Sequence, residues 1–132
     1  MRGFIFFLLV LTGHAIGAGA QYSFTCLDIN PAGGSRPTGM VVHNGKIYFS
    51  AANGTNGLEL HSTDGTQAGT QLIKDIRPGA DSSYPANIIS YNGKLIFTAT
   101  TPATGREMWT SDGTDAGTQM VKELAPGTDN GP

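Results

Sequence analysis

Few side chains in this chain can exchange protons, attack a carbonyl or hold a metal, and their spacing limits what they could do. Beyond the first twenty residues the histidines are His43, in "VVHNGK", and His61, in "LELHSTDGT". A serine or cysteine nucleophile needs such a base within hydrogen-bond reach. In a second copy of the same phrases these two places are filled by Tyr91 and Trp109, so both histidines read as packing residues. No histidine pair has the spacing of a zinc site. Glu59 and Glu107 could share acid and base work, yet they are one position in two copies, and each reads as serving its own copy. Arg36, Arg77 and Arg106 fall at non-equivalent places and make no carboxylate cradle. The residues argue against an enzyme.

Oxygen donors are more plentiful. "STDGTQAGTQLIKDI" (Ser62 to Ile76) returns as "TSDGTDAGTQMVKEL" (Thr110 to Leu124). Asp112, Thr114 and Asp115, or Asp81 and Asp129 in the two Pro-Gly-x-Asp stretches, could offer ligands to a hard cation such as calcium. The dense alternation of acids in a dedicated calcium loop is missing, and Asp115 is Gln67 in the earlier copy. Turn capping accounts for the phrase better. An aspartate before glycine accepts N–H bonds from the turn that follows, the glycine takes a conformation closed to other residues, and threonine hydroxyls satisfy further loop groups. Asp64, Gly65, Thr66 and Thr70 form one such clamp, and Asp112, Gly113, Thr114 and Thr118 the other. Calcium is thus the one cofactor with a foothold, and none is required.

The elements that position these residues repeat as well. Shifting the chain by about 48 residues brings "HNGKIYFSA" onto "YNGKLIFTA" and Pro37 onto Pro85, with roughly twenty identities per period. A period of this length suits propeller blades, small sheets that bury both faces only when neighbours stack on them. Within each copy the pattern predicts four strands: Met40 to His43, Lys46 to Ala52, Leu58 to Thr63 and Thr70 to Ile76, then Ile88 to Tyr91, Lys94 to Thr100, Arg106 to Ser111 and Thr118 to Leu124. Asn44-Gly45 and Asn92-Gly93 suit hairpin turns with positive φ at both central positions. Phe49, Phe97 and Trp109 read as packing residues. His61 stands at the Trp109 position, so His61→Trp is expected to be neutral or stabilising. The chain therefore reads as all-β, with repeat units at 37–84 and 85–132 forming part of a β-propeller.

The ends carry different information. "MRGFIFFLLVLTGHAIGAGA" has a cation at Arg2, an apolar core from Phe4 to Leu11 and small residues Ala18 and Ala20 before Gln21, the pattern of a secretory signal peptide over 1–20. An apolar run of about ten residues is too short to span a bilayer core of about 30 Å as a helix. Residues 21–36 read as an orphan outer strand and linker, because "FTCLDINP" aligns with the fourth-strand segment "LIKDIRP". Cys26 within it reads as a small buried hydrophobe, or as a thiol for intermolecular pairing. Opening on a fourth strand and stopping at Pro132, where another unit would begin, the chain reads as a truncated piece of a longer ring, or as a short protein that assembles from copies. The formal net charge of −2 gives no basic surplus for nucleic acid.

"REMWTSDGTDAGTQMVKELAPG" and "LELHSTDGTQAGTQLIKDIRPG", each behind an N-G-K-h-h-F-[ST]-A strand, resemble the ELWxxDGT repeat family. Met108 stands for the motif leucine, and His61 for its tryptophan. The resemblance implies a secreted or cell-surface bacterial protein with tandem, propeller-like β repeats and no assigned activity. Two functions follow as expectations. One is a structural or binding module, non-catalytic, whose loops "NGTNG" (Asn53 to Gly57) and "TPATG" (Thr101 to Gly105) meet a glycan or protein partner. The alternative is the amino-terminal part of a propeller hydrolase or lyase whose catalytic residues lie in other blades. Further expected partners are downstream repeats or other copies of the chain.

Overall fold

The computed structural model describes residues 8–14 and 21–122. Strand β1 (Leu8–His14) pairs antiparallel with β2 (Gln21–Leu27). Strands β3 (Thr38–His43), β4 (Lys46–Ala51), β5 (Glu59–Thr63) and β6 (Gln71–Lys74) form a four-stranded antiparallel sheet in that order. Strands β7 (Ala86–Tyr91), β8 (Lys94–Thr101), β9 (Gly105–Ser111) and β10 (Gln119–Lys122) form a second. The chain is all-β: no helix occurs among the described residues, so none is long and apolar enough to cross a membrane. Neither sheet is closed.

The repeat extends to the hydrogen-bond register. Phe49 lies opposite His61 and Phe97 opposite Trp109, Val41 opposite Tyr48 and Ile89 opposite Ile96, Leu60 opposite Lys74 and Met108 opposite Lys122. Even the irregularities recur. The first two strands of each sheet shift register once, between Thr38 and Val41 and between Ala86 and Ile89. There Gly39 and Asn87 hold the same place with φ of 67° and 54°. Asn44-Gly45 and Asn92-Gly93 both turn with φ near 48° and 75°, the doubled positive φ that matches the twist of two antiparallel strands.

Alternation along β4 and β8 then sorts side chains between two faces. One face of the first sheet, with Tyr48, Leu60, Ile73 and Val41, packs on Ile88, Leu95, Phe97, Ala99 and Trp109 of the second, and Ile76 closes the end of this core. The opposite face of the first sheet carries Phe49, Ala51 and Ile47, covered by Leu27 and Ile29. Strands β3 and β7 run beside each other, joined where His43 Nδ1 and Ser90 Oγ lie 2.8 Å apart.

β2 belongs to neither four-stranded sheet and pairs along its whole length with Leu8–His14, which lies inside the leader-like residues 1–20. Leu27 and Ile29 pack on the Phe49 face of the first sheet. One expectation for the amino-terminal region changes. Cys26 is exposed with a free thiol, because strand alternation gives the inward position to its neighbour Leu27, which is fully buried. The cleavage residues Ala18 and Ala20, and the whole second Pro-Gly-x-Asp stretch, Pro126 to Asp129, lie outside the described residues.

Candidate functional site

The two Asp-Gly-Thr turns, between β5 and β6 and between β9 and β10, repeat bond for bond. Asp64 Oδ1 accepts from Thr66 N at 2.9 Å and Thr66 Oγ at 2.7 Å; Asp112 Oδ1 accepts from Thr114 N at 2.9 Å and Thr114 Oγ at 2.6 Å. The threonine hydroxyl passes the chain on, accepting from Gly69 N or Gly117 N at 2.9 Å. Thr70 and Thr118 donate to the carbonyls of Thr66 and Thr114 at 2.6 Å. These hydrogen bonds, the threonine hydroxyl first, hold both aspartate carboxyls below their ordinary value.

Two further positions complete the clamp. Thr63 and Ser111 accept from Gly65 N and Gly113 N at 3.0 Å while pairing with Thr70 and Thr118 at 2.7 Å. A side chain at Gly69 or Gly117 would collide with the aspartate carboxylate. The recurrence of hydroxyl and glycine at these places in both copies was the available signal. Gly113 also lies against the Tyr48 hydroxyl of the first sheet, and burial, with the Asp112 charge behind it, raises that phenol above its usual value.

Position 67/115 explains why aspartate gives way to glutamine. Gln67 grips the backbone of Asp28, its Oε1 accepting from Asp28 N at 2.9 Å and its Nε2 donating to Asp28 O at 2.8 Å. Asp115 instead receives Lys74 Nζ at 2.8 Å on its carboxylate and 3.2 Å on its carbonyl. A peptide group offers one donor and one acceptor and suits an amide; an ammonium suits a carboxylate. Each turn thus reaches back to the segment before its own sheet. Asp112 Oδ1 and Asp115 Oδ1 are engaged within the protein, and no group of three acids, histidines or cysteines capable of holding a metal occurs among the described residues.

Glu59 and Glu107 sit on β5 and β9 of different sheets. Glu59 is fully buried and takes Ile76 N at 3.1 Å, Ser83 N at 2.8 Å and Ser83 Oγ at 2.5 Å. It ties the end of β6 to the loop that launches the second sheet, where Ser83 O in turn receives Thr100 N at 2.7 Å. Burial raises the Glu59 carboxyl above its ordinary value, against the pull of those hydrogen bonds. Glu107 is likewise buried in its own sheet. His61 stacks on Phe49 with ring centroids 6.0 Å apart and its Nδ1 3.0 Å from Glu59 O; burial lowers its pKa. His43 is buried at the β3–β7 joint, with Asn44 Nδ2 3.1 Å from its Nε2 and its ring edge-on to Tyr48. His43 does reach a serine, its Nδ1 lying 2.8 Å from Ser90 Oγ at the β3–β7 joint, whereas His61 Nδ1 is turned to the Glu59 carbonyl. Trp109 and Phe97 lie in the core between the sheets, and Phe49 beneath Leu27.

The other end of the sheets is less regular. Asn53 Oδ1 caps Thr55 N and Asn56 N at 3.0 and 2.7 Å, and Asn56 Nδ2 donates to Asp75 Oδ2 at 2.6 Å. The corresponding loop after β8 is held by Thr101 and Thr104, whose hydroxyls lie 2.8 Å apart while Thr104 N donates to Thr101 Oγ at 3.2 Å. Nearby, the residues before Pro37 and Pro85 share a feature that side-chain chemistry did not announce. Arg36 and Tyr84 occupy one place in the repeat, both exposed and both left-handed, with φ of 49° and 52°. Bulky residues rarely adopt that conformation, and strain of this kind concentrates at functional sites.

No known protein-family model, curated protein or solved structure matches the chain.

Proposed function

We propose that this chain is a secreted or cell-surface repeat module of propeller type, related to the ELWxxDGT repeats, which binds through one rim of its stacked sheets and carries out no catalysis. Three things support the stacking part: two sheets with one register, an apolar core between them, and turns that each grip the preceding segment. The leader-like residues 1–20 support export. Binding is favoured over catalysis because Glu59, Asp64 and Asp112 are occupied in holding backbone, and His43 and His61 are packed away.

The observation that carries the binding reading is the pair Arg36 and Tyr84. Holding such residues in left-handed backbone costs of order 1–3 kcal/mol each, a cost that glycine would remove and that a binding role explains. A guanidinium and a phenol ring at one rim, beside asparagine-capped loops, suit a glycan's hydroxyls and ring faces or the side chains of a protein. Screening the purified chain on immobilised oligosaccharides, alongside Tyr84→Gly and Arg36→Gly, tests this. The expected result is retention by the unaltered chain, loss in both variants, and melting temperatures equal to or above that of the parent. Retention unchanged in both variants would remove the rim from consideration.

A further inference from the structure

The two sheets share a register but not an environment. On the first sheet, Val41, Tyr48, Leu60 and Ile73 form the face that the second sheet covers; Tyr48 and Ile73 are 5 % exposed and Leu60 is 0 % exposed. One period later the same places are held by Ile89, Ile96, Met108 and Val121. Cross-strand pairing puts Ile89, Ile96 and Met108 on the matching face, and Val121 lies at the β10 register shift beside Met108. There Ile89 is 51 %, Met108 41 % and Val121 54 % exposed. The character of the face is retained, with apolar groups at the same four places, while its cover is not. Solvent-facing strands ordinarily carry polar residues at such positions, and grouped exposed apolar side chains mark an interaction surface.

We infer that this face of the second sheet is the seat of a further four-stranded unit of the same repeat, docked by the face that bears the aliphatic-x-Phe-x-Ala strand. The inference builds on the stacked-sheet reading above and continues its interface: what Leu95, Phe97, Ala99 and Trp109 do for Leu60 and Tyr48, the next unit's equivalents do for Met108 and Ile96. A second copy of this chain is the poorer fit. Its second sheet already spends the Phe97 face on its own first sheet, and its Phe49 and Ala51 are 0 % exposed beneath Leu27.

The test adds the unit. Residues 75–122 are duplicated directly after Lys122, so that the joint repeats the natural Lys74-Asp75 junction, and peroxide oxidation of each methionine is followed by mass spectrometry. Met40, 52 % exposed on the first sheet, is the internal reference. Met108 of the original second sheet should oxidise about tenfold more slowly in the extended chain while Met40 keeps its rate, since sulfoxide formation tracks exposure. Phe97→Ala in the added copy alone should restore the original rate. An added unit that leaves Met108 oxidising as before, or that remains unfolded, overturns the inference. So does a dimer of the unaltered chain, seen in sedimentation, that already protects Met108. Trp109 emission in the unaltered chain separates this from the parent reading: red-shifted emission would mean that even the first two sheets do not stack, whereas blue-shifted emission with an unprotected Met108 would sink the further seat alone.

Discussion

Leu60 and Met108 hold one place in two sheets of identical register, yet one is completely buried and the other 41 % exposed. His61 and Trp109 form a second such pair: the imidazole lies on Phe49 beside the amino-terminal segment, the indole in the core between the sheets. Position within a strand decides which face a side chain joins. What lies against that face decides how much its burial contributes, and here the two sheets differ.

The largest effect should come from Trp109→Ala. Removing an indole that is 8 % exposed from the core between the sheets should destabilise by about 3–5 kcal/mol, measured by urea melts. A loss below about 1 kcal/mol would mean that the two sheets do not share a core. The pair Leu60→Ala and Met108→Ala sharpens the comparison directly. The first should cost about 2–5 kcal/mol and the second less than about 1 kcal/mol, because only the first leaves a cavity. Equal costs would show that the second sheet's outer face is covered in solution.

His61→Trp comes next. The repeat pattern makes an indole look acceptable there, but the imidazole is 1 % exposed under its neighbours, so the larger ring should overpack the site and destabilise by about 1–3 kcal/mol. A neutral or stabilising result would mean that the amino-terminal segment sits loosely on the first sheet.

The smallest effects are those of pH. Burial lowers the His61 pKa below 6.5, so on acidification the unfolded chain binds the proton first. Stability present above pH 6.5 is therefore lost progressively as pH falls through the folded value, and His61→Phe should flatten that slope. Glu59 opposes it. Its carboxyl is raised above 4.5 by burial, so stability contributed below its unfolded pKa is lost as pH rises through the folded one, and acidification restores it. Asp64 and Asp112, lowered from 3.8 by their threonine bonds, contribute stability that disappears only as pH falls below that value. Thermal melts across this range in the parent, His61→Phe and Asp112→Asn should separate the three contributions; an unchanged acid limb in Asp112→Asn would show that the turn's carboxylate does not hold it.

Much of this architecture was legible in the residues because its signals are local. Asn-Gly dipeptides specify a turn by backbone sterics, alternation specifies a face, and an aspartate two residues before a threonine can cap only the turn beside it. The eight strands of the two sheets and their clamps needed no distant partner to be read. Four features did: the pairing of β2 with Leu8–His14, the hold of Gln67 on Asp28, the role of Glu59 in tying β6 to the Ser83 loop, and the left-handed backbone of Arg36 and Tyr84. Each depends on segments brought together or strained by packing, and a single chain written in order does not state which of its faces will find a cover. Two sheets of one register with polar turns at their ends follow from local pattern alone. Which face is sealed and which remains open follows from packing, because burial is a property of the neighbour as much as of the strand.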